Sequence, residues 1–388
     1  MNRFDEPAQR KGTACIKWDF QEADFNGRSG LLPFSIADAD YRTYQPIIDA
    51  LKARLNKGVI GYTDLDDAYY EAVRKWCDRR HDWQIENSWI VPVGGIVPAM
   101  CTAIEVLTEP GDGVIVQPPV YDPFYTIINA SGRTILKNDL LLTDNGYRMD
   151  FDKLEELAKS GAKMLLLCSP HNPVCRVWTT EELKELADIS VRYGLIVISD
   201  EIHWDLMLHG NKHVTMGQFR DLHDKLIVCT SCSKTFNIAG LETSNLIIPD
   251  KTIRERYQAY LYARYLFVPN TLGLEAVKAA YRDGDKWVDA QCFYLTQNAV
   301  LAEDYLAKHL PEAKLAKPEG TYLLWMDLRA FGKTSDELIE RIAQAGAGLN
   351  NGFHYGENYD GFVRMNIACP RQQLKDGLDC IYKALKGA

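Results

Sequence analysis

The sequence predicts an α/β fold: a large domain with a mostly parallel sheet covered by helices, joined to a smaller α+β domain. Two observations predict the large domain. Short apolar runs alternate with amphipathic stretches through residues 90–230, the pattern of strands linked by helices. Three of these runs, 164–168, 195–199 and 226–229, each lead straight into polar residues of the kind that hold ligands. Those residues are Ser169-Pro170-His171-Asn172-Pro173, Asp200-Glu201-Ile202-His203 and Thr230-Ser231-Cys232-Ser233-Lys234. In open α/β sheets ligands bind beyond the carboxyl ends of the strands. A third observation predicts the small domain: after Pro318-Glu319-Gly320-Thr321 the chain changes character, with strands near 322–327 and 362–367 around a helix at 335–345.

Taken in order, residues 1–50 read as an extended arm, ending in Ile36-Ala37-Asp38, which on its own would be an acidic turn. Residues 46–57 read as a helix, with Pro46 in its first turn, Ile47, Ile48, Leu51 and Leu55 on one face and Gly58 as its stop. Tyr62 follows in a turn. Residues 66–80 form a second helix with Tyr69, Val73 and Trp76 on one face. Gly94-Gly95 lies between a short apolar run and a helix at 97–107. It is either a plain loop or a place where backbone N–H groups meet an anion. The strand at 113–117 opens into a loop containing Tyr121, an aromatic of a kind most often found in the core. Residues 133–163 give a strand, a polar turn (Thr143-Asp144-Asn145-Gly146) and a helix at 152–159. The helix at 181–193 stops near Gly194. Beyond Lys234 the chain is helical over 251–281 and 286–310. The expected organisation is an arm at 1–50 packed on the small domain, a large domain at 51–289 and a small domain at 290–388.

A chain of 388 residues with 46% hydrophobic and 25% charged residues has enough apolar material for a sizeable core. The net charge of −9, without a basic block, argues against nucleic acid as a partner. The N-terminus lacks the apolar core of a signal peptide, and no apolar run approaches the roughly 20 residues that span a bilayer. Several of the ten cysteines, such as Cys101, Cys168 and Cys229, sit inside apolar runs, as reduced thiols of a cytoplasmic protein do. Cys229 and Cys232 form a C-x-x-C without a thioredoxin-like setting. His209 and His213 have a zinc-like spacing, but Gly210 and Asn211 make the segment a turn, and no metal site is expected.

A lysine after a strand is ordinarily a solvated loop residue, and an arginine in a strand such as Arg364 is ordinarily a structural ion pair. The combination says more. SPHNP at 169–173, SDEIH at 199–203 and SCSKTFNIAGL at 231–241, in that order, resemble the MalY/PatB family of pyridoxal-phosphate C–S lyases, relatives of the class I and II aminotransferases. The likeness runs from Ile36-Ala37-Asp38 to Phe362-Val363-Arg364-Met365-Asn366, nearly the whole chain. It implies the fold of type I pyridoxal-phosphate enzymes, pyridoxal 5'-phosphate as cofactor and a homodimer with shared sites. It also implies β-elimination from cystathionine or a related cysteine S-conjugate to thiol, pyruvate and ammonia, in methionine biosynthesis. An aminotransferase on the same scaffold is the alternative.

The resemblance also implies roles. Lys234 carries the cofactor and moves the substrate's Cα proton. Asp200 faces the ring nitrogen, Asn172 and His203 the phenolic oxygen, and Tyr121 the ring face. Gly95, Ile96, Ser231 and Ser233 hold the phosphate, with Tyr62 entering from a second subunit. Ala37 and Arg364 bind the substrate carboxylate. Two positions depart from the pattern. Glu242 stands where many aminotransferases carry a phosphate-binding arginine, and is expected to point away. Cys175 stands where glycine is usual, which would strain the chain if the backbone φ there is positive.

Overall fold

Strands that are apolar on both faces fit only a sheet covered on both sides. In the computed structural model, which describes residues 3–144, 146–267 and 269–387, seven strands form such a sheet. They are Ile90–Val93 (β1), Gly113–Val116 (β2), Thr134–Lys137 (β3), Met164–Cys168 (β4), Ile196–Asp200 (β5), Leu226–Thr230 (β6) and Ser244–Ile247 (β7), in the order β1-β7-β6-β5-β4-β2-β3. Neighbours from β3 through β6 are parallel, and β7 runs antiparallel to both β1 and β6. Every residue of β4 and β6 is buried.

Alternate side chains on these strands enter two cores. Leu165, Leu167, Val197 and Val228 pack on one face against helices Phe151–Lys159 and Thr180–Tyr193. Met164, Leu166, Ile198 and Ile227 pack on the other against helices Ile96–Leu107, Pro123–Ala130 and Lys251–Ala263. The register sets Cys168, Asp200 and Cys229 side by side across β4, β5 and β6. Asp200 shares the face of Ile198, two residues back, while Glu201 turns the other way. There it accepts hydrogen bonds from Ser199 Oγ (2.8 Å) and Met216 N–H (2.9 Å) and pairs with His213 Nε2 at 2.9 Å. Glu201 is thus an acidic neighbour of His213, twelve residues away in sequence and brought to it by the fold.

A second, antiparallel sheet comprises Lys314–Leu315 (β8), Leu323–Asp327 (β9), Asn350–Asn351 (β10) and Phe362–Asn366 (β11), in the order β8-β9-β11-β10. Helices Ser335–Gln344 and Arg371–Lys386 pack with it. The arm docks here: Leu32–Pro33 pairs in parallel with Ala347–Gly348, and Asn366 N–H donates to Phe34 O at 2.8 Å. Position 290 falls inside the continuous helix Asp285–His309, and position 50 inside Gln45–Leu55. The single helical stretch expected over 251–281 is two helices, Lys251–Ala263 and Thr271–Asp283, because Asn270 caps the second by accepting from Leu272 and Gly273 N–H. Asn145, in the predicted polar turn, lies outside the described residues. Among the described residues no helix is long and apolar enough to cross a membrane.

Candidate active site

A cavity of about 590 Å³ opens at the carboxyl ends of the central strands. Its wall brings together Ala37, Gly95, Ile96, Tyr121, Asn172, Asp200, His203, Ser233 and Lys234 from the sequence-predicted set. Lys234 lies on the one-turn helix Ser233–Phe236 that follows β6. Asn237 ends that helix in the left-handed conformation (φ +55°), and its side-chain amide accepts from Ala39 N–H at 3.0 Å and donates to Ala39 O at 2.9 Å. The arm is thereby tied to the lysine's own helix. Lys234 Nζ donates to Ala37 O at 2.8 Å. Burial pushes its ammonium below the ordinary lysine value, with Asp38 and Asp200 pulling part of the way back and Arg364 adding to the drop.

Asp200 is buried at the end of β5, where it accepts the N–H of Ile202 at 3.2 Å. Burial pushes its carboxyl up to about 7, against the pull of that hydrogen bond and of Lys234. Among the described residues no cation touches it. His203 is buried and has no partner at Nδ1; burial, then the charges of Lys234 and Arg364, take it down to about 3, so it is neutral. Asn172 Oδ1 accepts from Arg364 at 3.0 Å.

Gly95 is the N-cap of the helix Ile96–Leu107 and offers no side-chain cap, which leaves first-turn N–H groups for an anion. Ser231 stands one layer back: it is buried, off the cavity wall, with Oγ 2.9 Å from Ser233 Oγ, and it props that serine. Arg364 likewise stands behind Asn172. It donates to Ser35 O at 2.6 Å and Asn350 Oδ1 at 2.7 Å, and its Nε is buried without a partner. Tyr62 is 99% exposed on a loop outside this chain's cavity. Glu242 is on the cavity wall, exposed, with a left-handed φ of +44°. Tyr265, Leu266, Thr102 and Tyr257 also line the wall and have no motif in the sequence to mark them.

A buried carboxylate without a cation, an unpartnered neutral histidine, an aromatic wall and an uncapped helix N-terminus fit a flat aromatic group bearing a protonatable ring nitrogen, an oxygen and a phosphate. The buried lysine fits an aldehyde on that group. A parallel sheet with this site at its edge, closed by an arm and an antiparallel domain, defines an enzyme of the aminotransferase fold, fold type I. The chain belongs to the aminotransferase class I and II family, whose profile matches residues 29–381. It is 40% identical to cystathionine beta-lyase PatB of Bacillus subtilis, over 98% of this chain and 99% of that one. It is 36% identical to protein MalY of Escherichia coli, over 100% and 99%. Among solved structures it resembles cystalysin from Treponema denticola, described as containing a pyridoxal 5'-phosphate cofactor. That match has a TM-score of 0.95 at 37% identity and covers 100% of this chain and 99% of that one.

Proposed function

We propose that this chain is a pyridoxal-phosphate-dependent carbon–sulfur lyase acting on L-cystathionine or related cysteine S-conjugates. The observation that carries the reading is one cavity holding a buried lysine of depressed pKa together with a buried carboxylate that lacks a cation. When bound, pyridoxal phosphate supplies an aldehyde that joins to amines and a ring that draws electrons from the bonds at the amino acid's Cα.

The residues do the rest. Asp200 provides the counter-charge for a protonated ring nitrogen, and Asn172 and His203 the polar contacts of the phenolic oxygen. Tyr121 covers the ring. Gly95 and Ile96 N–H groups and the Ser233 hydroxyl hold the phosphate, with Ser231 fixing Ser233. Arg364, oriented by Asn172 and Asn350, and the backbone at Ala37 hold the substrate's α-carboxylate. Lys234, a base because burial disfavours its ammonium, takes the proton from Cα. The Cβ–S bond then breaks with its electron pair on sulfur, and the thiolate takes up a proton. The remaining three-carbon enamine takes up one water to give pyruvate and ammonia.

A second copy of the chain completes the site. Val59, Ile60 and Tyr62 are exposed on one loop, and Tyr262 in the last turn of the helix Lys251–Ala263 is exposed together with Tyr265, Leu266 and Phe267 on the segment after it, which borders the cavity. A 2.8 Å contact between the Thr63 hydroxyl and that of Thr271, the first residue of the helix that follows the second segment, ties the two regions together. An exposed apolar patch of this kind fits a homodimer, with Tyr62 entering the other subunit's phosphate site. Ten free thiols suit the reducing cytoplasm.

The test is turnover of L-cystathionine without added keto acid. Equal amounts of pyruvate, ammonia and thiol are expected, and borohydride should trap the cofactor on Lys234. A requirement for 2-oxoglutarate with no thiol release would make the protein an aminotransferase.

A further inference from the structure

Tyr322 reaches the cavity region from the small domain. The residue before it, Thr321, has φ +66°, a conformation that β-branched residues rarely adopt. The strained turn is held from outside. Thr321 N–H donates to Leu206 O at 2.7 Å, Leu208 N–H donates to Glu319 O at 2.9 Å, and Gly320 N–H donates to Cys175 O at 3.0 Å. Gly320 has no room for a side chain, since a Cβ there would come within 2.7 Å of Val177. Strain of this kind persists where the surroundings over-determine it, and it gathers at functional sites. What the turn delivers is a fully buried Tyr322, edge-on to His203 with ring centres 5.6 Å apart. Its phenol donates to Ala37 O at 2.9 Å, the same carbonyl that accepts Lys234 Nζ at 2.8 Å.

We propose that Tyr322 is a positioning residue for Lys234: by occupying one lone pair of the Ala37 carbonyl, it sets the direction and strength of the acceptor that holds the uncombined lysine. A carbonyl oxygen has two lone pairs, so the phenol and the ammonium share it. Burial raises the phenol well above its ordinary value, so it stays an O–H donor throughout the working pH range. The other groups whose charge reaches Lys234 are Asp38 on the arm, Arg364 on β11 and Asp200 on β5, with His203 neutral beside them. With the phenol removed, the whole acceptor capacity of Ala37 O turns to the ammonium. The lysine is then held more tightly as a cation and gives up its proton at higher pH.

This inference rests on Lys234 being the proton-moving group, and the experiment separates the two. Tyr322→Phe is prepared with cofactor bound. In a cofactor-free portion the pH at which the uncombined Lys234 ionises is followed through the pH dependence of its rate of combining with added pyridoxal phosphate, and in the cofactor-bound enzyme kcat and KM for L-cystathionine are measured per mole of bound cofactor. The acid limb of kcat and the ionisation of the uncombined lysine are expected to rise by about 0.5–1 pH unit, with a fall in kcat of roughly 3- to 10-fold at pH 7 and little change in KM. Site-specific 3-fluorotyrosine at 322, a stronger donor of nearly the same size, is expected to move both in the opposite direction, which keeps the test decisive if the phenylalanine variant folds poorly. An unmoved limb with borohydride label still on Lys234 overturns the role of Tyr322 alone. Label on another lysine overturns the site assignment itself.

Discussion

Asp200 shows how one residue can link stability to function. Its cross-strand neighbours on β4 and β6 are the thiols Cys168 and Cys229, which neither donate strongly nor carry charge, so its carboxylate is poorly solvated. A carboxyl whose value in the fold lies above its unfolded value favours the fold while protonated. That contribution is lost as pH rises from the ordinary carboxylate range through about 7. Cofactor-free Asp200→Asn, neutral at every pH, is therefore expected to melt above the cofactor-free parent at pH 8, with the gap closing toward pH 4; a gap that does not vary with pH would contradict the assignment. With cofactor the sign reverses in function, because the carboxylate's counter-charge is missing. Asp200→Asn should retain pyridoxal phosphate and lose roughly 100-fold or more in kcat, read by absorbance and pyruvate release.

Cys175 is the other informative residue. Its φ is +64°, so the strain foreseen for a non-glycine residue there is present, and the thiol is buried with Sγ 2.6 Å from Leu323 O. A contact with a strand 148 positions away in sequence could not be read from the local motif.

At the scale of elements, the helix Thr180–Tyr193 follows from its sequence at both ends. Thr179 and Glu182 form a capping box, each bonding the other's backbone N–H, and Gly194 closes the helix at φ +70°. Thr179→Ala should lower stability by about 1 kcal/mol in thermal or denaturant unfolding, with kcat and KM unchanged, since the helix covers the face of the sheet away from the cavity. Strands β4, β5 and β6 were equally readable, because their apolar runs are short and end in polar residues. Lys234, Asp200, His203 and Asn172 meet at one cavity for the same reason: they lie at or just beyond the ends of β6, β5 and β4. The break between Lys251–Ala263 and Thr271–Asp283 was hidden because Leu261, Tyr262, Tyr265 and Leu266 continue an apolar pattern through it. Pro269-Asn270 was the available sign of a new start. Tyr265, Leu266 and Tyr322 escaped altogether. They approach the cavity through tertiary packing, and nothing in a lone tyrosine separates a cavity wall from a core.

At the scale of the whole molecule, Tyr62 is almost wholly exposed and lies outside its own chain's cavity. A phenol that serves a phosphate only across a dimer makes a prediction that a residue acting within its own chain cannot meet. Tyr62→Ala keeps Lys234 but lacks the crossing tyrosine; Lys234→Ala keeps the tyrosine but has no reacting lysine. Each homodimer should be strongly impaired. When the two are mixed and allowed to exchange subunits, a heterodimer contains one site with both residues intact and one with neither. Random pairing makes half the dimers mixed, so activity should recover toward about one quarter of the parent's, well above the sum of the separate variants. If Tyr62 acted within its own chain, no site in any mixed dimer would have both residues, and mixing would restore nothing. Sedimentation of the parent supplies the companion measurement: in the proposed dimer Tyr62 comes from the other subunit, so loss of activity on dilution should follow dissociation to monomers.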